Sequence, residues 1–418
     1  MNEARVTIPF SLLEKKVEEN TFALLRFLVE LVGIDQARLV ISLLADPISN
    51  ESLEQIHAIF ISKIRNIFPF LSNFSDIEIQ ENLSNAYNQA DHFIKALVDT
   101  YFSDFEFELN LLDNTTTSTT NYGKRLQKLV SVNSTPRLKY ELLRQELLAL
   151  LLLDLKKQNS AIQNRVSLHS FQTIFEDQLY NGKDGTIYEK AIFSVHDSIT
   201  NRCIATFTSI RYAQAYIRKY NDKKLHIKKF NSRMRKVENI GYVLANTRIK
   251  SDFSILRKIL YKSKLKENNR KKISIEINEK LEDTAGFMFI VPNGKRKKML
   301  KTIVETIKQA FPEINILPDH KVDSNRGQSS SVNMLRIYAS LHNQKPIEII
   351  IFNQIDYMNY LFELKQAHVL YDLKKTEIAA ESLFCNSVFN LNPTDAKEQQ
   401  ELYIDKRKKE LLKAKRIM

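Results

Sequence analysis

The chain is poor in the residues that build cross-linked or metal-stapled domains. Its 418 residues include two cysteines, Cys203 and Cys385, far apart and in no metal-ligand spacing. That excludes a disulfide framework and points to a reducing compartment. Long apolar runs are missing too. The most apolar stretch, Leu147 to Leu155, is far too short to span a bilayer and is flanked by Arg144, Glu146 and Lys156. The opening residues, MNEARVTIPF, have neither a basic region leading into an apolar core nor a transit-peptide composition. The expectation is a cytoplasmic protein with no membrane segment.

What the chain does have is length and positive charge. At 418 residues it is too long for one ordinary core, so two or three domains are expected. Lys and Arg number 62 against 49 Asp and Glu, a net charge of +13. A pI near 9.4 favours a polyanionic partner: nucleic acid, nucleotide phosphates or an acidic surface.

From Leu12 to about Phe107 apolar residues recur at three and four, with breaks at Asp46-Pro47 and Pro69, which predicts helices. Thr115 to Thr120 is a polar low-complexity segment and the best linker candidate. A second helical block follows from Lys124, centred on the Leu-rich stretch Leu138 to Lys157. These helices converge on no chemistry and read as scaffold or as a partner-binding module. Near Asn181 the texture changes. Turn dipeptides precede two short β-like runs, Ala191 to Val195 and Cys203 to Thr208, with a helix predicted over Ile210 to Tyr220. His196-Asp197 falls at the turn between the runs and reads as a turn pair, not a metal site.

Arg218 to Lys236, RKYNDKKLHIKKFNSRMRK, interleaves basic residues with Tyr220, His226 and Phe230. Charges that track phosphates and rings that stack on bases suit single-stranded nucleic acid, and a solvated helical or loop face is the equal alternative. A helix predicted from Ala396 to Met418 ends in a second basic run, where cations are electrostatically favoured in any case.

The least ordinary stretch is Lys345 to Tyr371. Ile347, Ile349, Ile350, Ile351 and Phe352 predict a strand buried on both faces, yet Glu348 lies within it. A lone buried carboxylate is costly, so Glu348 should be paired, metal-bound or at the strand's open end. Tyr357, Leu361, Leu364 and His368 then recur at helical spacing, so the strand is expected to feed a helix.

Four pieces between Asn246 and Tyr371 resemble the synthetase domain of the RelA/SpoT family, the nucleotidyltransferase-like enzymes that make (p)ppGpp. They are Arg248-Ile249-Lys250 with Ser254-Ile255 and Lys258, Leu281 to Gly286 running into an apolar strand, Pro346 to Ile349, and Ala367 to Tyr371. Their order agrees with the family. The resemblance implies an ATP donor whose phosphates are held by Arg248, Lys250, Ser254 and Lys258, with Arg248 and Lys250 on the first turns of a helix. It implies Asp283 and Glu348 as catalytic Mg²⁺ ligands, since Mg²⁺ is held by one or two carboxylates plus substrate phosphates. His368 and Tyr371 read as helix-packing or substrate-edge residues.

Several family positions differ. Met288 stands where an arginine is usual, and Ile350 and Phe352 stand where glutamine and arginine usually follow the glutamate. The loop Asn325 to Asn333 lacks the tyrosine that stacks the acceptor purine. Three readings follow: pyrophosphate transfer from ATP to another nucleotide or to a tRNA 3′ end; a catalytically silent fold that binds nucleic acid or builds a nucleoprotein assembly, such as a phage one; or, last, nucleotidyl transfer. The last lacks a Gly-Ser pair with two close carboxylates. The fold class expected is α+β and multidomain. It comprises helices over 1–114 and 121–180, a small β-hairpin unit with a basic stretch over 181–240, a mixed-sheet RelA/SpoT-like domain over 241–378, and a basic C-terminal helix or tail over 379–418. The N-terminal helices are a candidate protein-partner surface.

Overall fold

The computed structural model describes residues 61–62, 64–65, 71–101, 141, 144–145, 148–153, 155, 161–180, 186–220, 224–268, 285–318, 333–341, 346–365, 367–384, 393–414 and 416–417. In chain order the elements are helix α1 (Asp76–Tyr101), α2 (Ala161–Ile174) with a π-helical turn at Phe175–Leu179, β1 (Tyr188–Asp197), β2 (Cys203–Phe207), α3 (Ile210–Tyr220), β3 (Leu225–Val237), β4 (Gly241–Ile249), α4 (Asp252–Asn268), β5 (Ala285–Val291), α5 (Arg296–Ala310), β6 (Asn315–Pro318), β7 (Leu335–Ser340), β8 (Ile347–Asn353), α6 (Gln354–Phe362), α7 (His368–Leu383), α8 (Pro393–Lys413) and β9 (Arg416–Ile417). The chain divides into two compact units. Unit 1 is Met1–Gln158, Asp252–Asn278 and Lys375–Glu401; unit 2 is Asn159–Ser251, Glu279–Lys374 and Leu402–Met418.

Unit 2 is built on one mixed sheet in the order β2-β1-β3-β4-β5-β8-β7-β6, with β9 added to β3. Only β5 and β8 pair in parallel among the described strands. Both are apolar runs buried on two faces, as a central parallel pair requires. On one face Phe287, Phe289, Ile349 and Ile351 pack with Phe171, Phe175, Met299 and Ile303 from α2, the π turn and α5. On the other, Met288, Ile290, Ile350 and Phe352 pack with Tyr357, Met358 and Phe362 of α6.

The β1-β2 hairpin does not stand apart from this sheet, because β1 pairs with β3 along ten residues from Tyr188 to Asp197. Its turn is held by Asp197, whose Oδ1 accepts from the Ile199 and Thr200 amides at 3.0 and 2.7 Å. Those bonds, led by that from Thr200, hold the Asp197 carboxyl below its ordinary range. His196 is fully buried, with Nδ1 2.8 Å from the Asn201 carbonyl and Nε2 2.9 Å from Ser194 Oγ. Both residues thus serve the turn. Asn201 has φ 58°, a left-handed conformation that asparagine tolerates, and its Nδ2 donates to the Phe362 and Leu411 carbonyls at 2.7 and 3.1 Å.

Three expectations need correction. The basic stretch is neither a helical nor a loop face over most of its length: from Leu225 it is strand β3, and Lys228 within it is fully buried. The helix after β8 breaks into α6 and α7, because the Leu364 amide turns aside to the Thr200 carbonyl at 3.0 Å. The C-terminal helix stops at Lys413 rather than Met418. Lys228 Nζ donates to the Leu411 and Ala414 carbonyls at 2.8 and 2.9 Å, satisfying acceptors that another helical turn would need.

The described part of unit 1 is helical. Leu148 to Leu153 are buried, as the Leu-rich pattern predicts. Gln145 donates to Asp91 of α1 at 2.5 Å, Arg144 donates to the Leu383 carbonyl at 3.0 Å, and Phe93 packs on Phe253 of α4 at 5.5 Å. The linker candidate at 115–120 lies outside the described residues.

Candidate functional site

The sheet register aligns three of the four motif pieces in one row. Arg248 of β4 is opposite Gly286 of β5, and Gly286 is opposite Glu348 of β8. Residues paired in this way point to the same face. Gly286 has no side chain to raise between them, so the Arg248 side chain reaches across β5 and its Nη2 donates to Glu348 Oε2. The glycine has a second role. A Cβ there would lie 2.2 Å from the Glu348 carbonyl oxygen, so the close approach of β5 to β8 requires glycine at 286.

Glu348 is 2% exposed and has a second cationic partner, Arg336 of β7, whose Nε lies 3.2 Å from Oε1. Each carboxylate oxygen therefore faces its own guanidinium. Two guanidinium charges against one carboxylate leave the spot net positive, and each arginine is partly exposed. This is suited to a polyphosphate, which fork-shaped guanidinium groups bind well.

The fourth piece arrives through α6 and α7. Tyr360 packs on Phe352 at 5.2 Å and lies against His368 with ring centroids 4.9 Å apart. His368 Nδ1 is 3.0 Å from Asp372 Oδ2, one turn along α7. Burial pushes the Tyr360 hydroxyl well above its ordinary range. Arg248 opposes that rise, and Asp372 and Glu348 add to it, so all three lie within electrostatic reach of the phenol. Tyr371 is near, its ring 6.2 Å from His368.

The other predicted residues are placed differently. Arg248 is on a strand and not on the first turn of a helix, and Lys250 lies in the connection after β4. Ser254 and Lys258 are on α4, which belongs to unit 1, where Ser254 Oγ accepts from Arg257 at 3.3 Å. Asp283 lies outside the described residues, as does the loop from 325 to 332. Among the described residues no group of three or more His, Cys, Asp or Glu side chains gathers as a metal site.

Sequence reasoning missed Arg336, Tyr360 and Asp372. Arg336 was detectable as a lone cation between Leu335 and Ile337 in an alternating strand. Asp372 was detectable as the i+4 neighbour of His368. The departures at Ile350 and Phe352 have a structural meaning. Both are core residues, and Arg336, opposite Ile350 in the ladder, brings a guanidinium to Glu348 from the next strand. No known family model matches the chain, and no curated protein matches it either.

Proposed function

We propose that this protein binds a nucleoside triphosphate at the Arg248, Arg336 and Glu348 cluster and transfers pyrophosphate from ATP to an acceptor hydroxyl, on a nucleotide or an RNA 3′ end, breaking the α–β phosphoanhydride bond with AMP as the leaving group. The observation that carries the reading is convergence. Arg248, Gly286 and Glu348 come from pieces far apart in the chain and share one row, with His368 beside it through Tyr360. The RelA/SpoT-like pattern supplies the reaction type, and the net positive cluster supports the substrate class.

In this reading the arriving phosphates take Arg248, and Glu348 keeps Arg336 oriented beside them. Mg²⁺ fits Glu348 on the condition that the phosphates draw Arg248 away, since both its oxygens otherwise face guanidinium groups. The ion would then be held by Glu348 with Asp283, and it would neutralise charge on the phosphate oxygens. Tyr360, packed against Phe352 and His368, closes the apolar side of the cluster. His368, oriented by Asp372, stands at the rim as the group placed to accept a proton from an acceptor hydroxyl. Lys250, in the connection after β4, remains the further donor-phosphate candidate in this unit.

The test is incubation with ATP labelled in the β and γ phosphates, Mg²⁺ and a panel of nucleotides and tRNA. Transfer is expected with at least one acceptor, reduced by about a hundredfold or more in Glu348→Gln. Absence of transfer to every acceptor rules the reading out. The second reading, a silent nucleic-acid-binding or assembly module, is favoured by one observation. Ile350 and Phe352, at positions where the family carries polar and basic side chains, are 4% and 1% exposed. It predicts nucleic-acid binding that Glu348→Gln leaves unchanged, with no transfer.

A further inference from the structure

Helix α3 and strand β3 contain no acidic residue in IRYAQAYIRKY and LHIKKFNSRMRKV. Lys229, Asn231, Arg233 and Arg235 alternate along β3, so they share one face at intervals of about 6.8 Å. The first three are exposed. Helix α3 packs over the start of that face, where Ala213 meets Val195 and Ile227. It offers solvent Arg211, Arg218 and Lys219 together with Tyr212 and Tyr220, which are 66% and 57% exposed.

At its other end the row leads into a cavity of about 150 Å³, which Arg235 lines together with Glu176, Tyr180, Thr247 and Phe287. Its base is aromatic, with Phe175 edge-on to Phe287 at 5.0 Å. Its wall is polar. The Arg235 guanidinium lies 4.8 Å over the Tyr180 ring and 3.4 Å from Glu176, which also accepts from Gln172 at 3.3 Å. The π-helical turn that carries Phe175 and Glu176 sets this wall, and such turns recur at functional positions.

We infer that single-stranded nucleic acid lies along β3, its phosphates against Lys229, Arg233 and the basic flank of α3, with one unstacked base seated in the cavity beside Arg235. The cationic track supplies the sequence-independent attraction, and exposed tyrosines supply stacking platforms. A cavity of this size admits one ring system, and a guanidinium plane fixed by two partners is a surface on which a base stacks. A base reaches such a recess only when unpaired, which selects single strands. Glu189, opposite Arg233 in the ladder, pairs with it at 3.7 Å with both groups largely exposed, so a phosphate displaces it at little cost. The inference extends the RNA arm of the proposed function but is read by binding alone, so failure of transfer leaves it standing.

The experiment uses the full chain and fluorescence anisotropy with labelled single strands of RNA and of DNA of about 12 nucleotides. The matching duplexes and phosphatidylserine vesicles serve as the other arms. One or both single strands are expected to bind more tightly than the duplexes. Lys229→Gln with Arg233→Gln should weaken binding about tenfold and lower the slope of log affinity against log salt by about 1.4. Filling the cavity with Thr247→Trp, or independently with Gln172→Phe, should weaken binding about fivefold or more with an unchanged slope. Lys297→Gln with Lys298→Gln, exposed on α5, removes the same charge and should change little. Circular dichroism and melting confirm that each variant folds. The inference is overturned by binding to vesicles alone, by duplex binding as tight as single strands, by an equal loss in the α5 control, or by folded cavity variants that bind as the wild type does.

Discussion

Gly286 is the residue on which the geometry around Glu348 most depends. Because the Cβ of any other residue would stand 2.2 Å from the Glu348 carbonyl, Gly286→Ala must push apart two strands buried on both faces. We expect a loss of about 3 kcal/mol in urea unfolding, together with loss of nucleotide binding. Glu363 offers a test in the opposite direction. It is 6% exposed, its Oε2 is buried without a hydrogen-bond partner, and desolvation raises its pKa above the ordinary 4.5 despite Arg202 and Lys365. A carboxyl with a raised folded pKa costs nothing while protonated in both states and costs stability as pH rises through the folded value. Glu363→Gln should therefore melt above the wild type at pH ~7, with the difference fading as the pH falls toward the ordinary carboxyl range.

Among the elements, β1, β2, α3, β5 and β8 were legible because each is a short run with one dominant pattern. Strand β3 was not. LHIKKFNSRMRKV alternates in its exposed residues, yet its basic residues mask the period, and nothing local shows that Lys228 donates to carbonyls 183 to 186 residues away. The α6 to α7 break was hidden for the same reason, since the Thr200 carbonyl that captures the Leu364 amide lies in a distant turn. At the site, Glu348 was recognised as needing a partner, but its described partners come from β4 and β7, which only the sheet order reveals. The capping role gives a test at this scale. Lys228→Met removes a donor to three main-chain carbonyls and should cost about 2 kcal/mol. Amide exchange should quicken first in residues 411–417.

At the scale of the molecule, unit 2 draws on three separate segments, and its last one, Leu402–Met418, is not an appendage. Leu411 and Ala414 pack with the α6 cluster, and β9 extends the sheet at Ile227 and Lys228. Ending the chain after Glu401 should lower the melting point of unit 2, followed by exchange at β1 and β3, and should expose protease sites near Asn201. A truncated protein that melts as the full chain does would show that this segment contributes nothing to the core.

The lysine inside β3 also sets a timetable. On a ribosome its strand partners on β1 emerge before it, while the carbonyls it needs are made 183 to 186 residues later. Until those carbonyls arrive the nascent sheet therefore carries a cation that has nowhere dry to settle, and the strand's centre must stay wet. Completion of this unit is thereby coupled to translation of Leu411 to Ala414, at the end of α8.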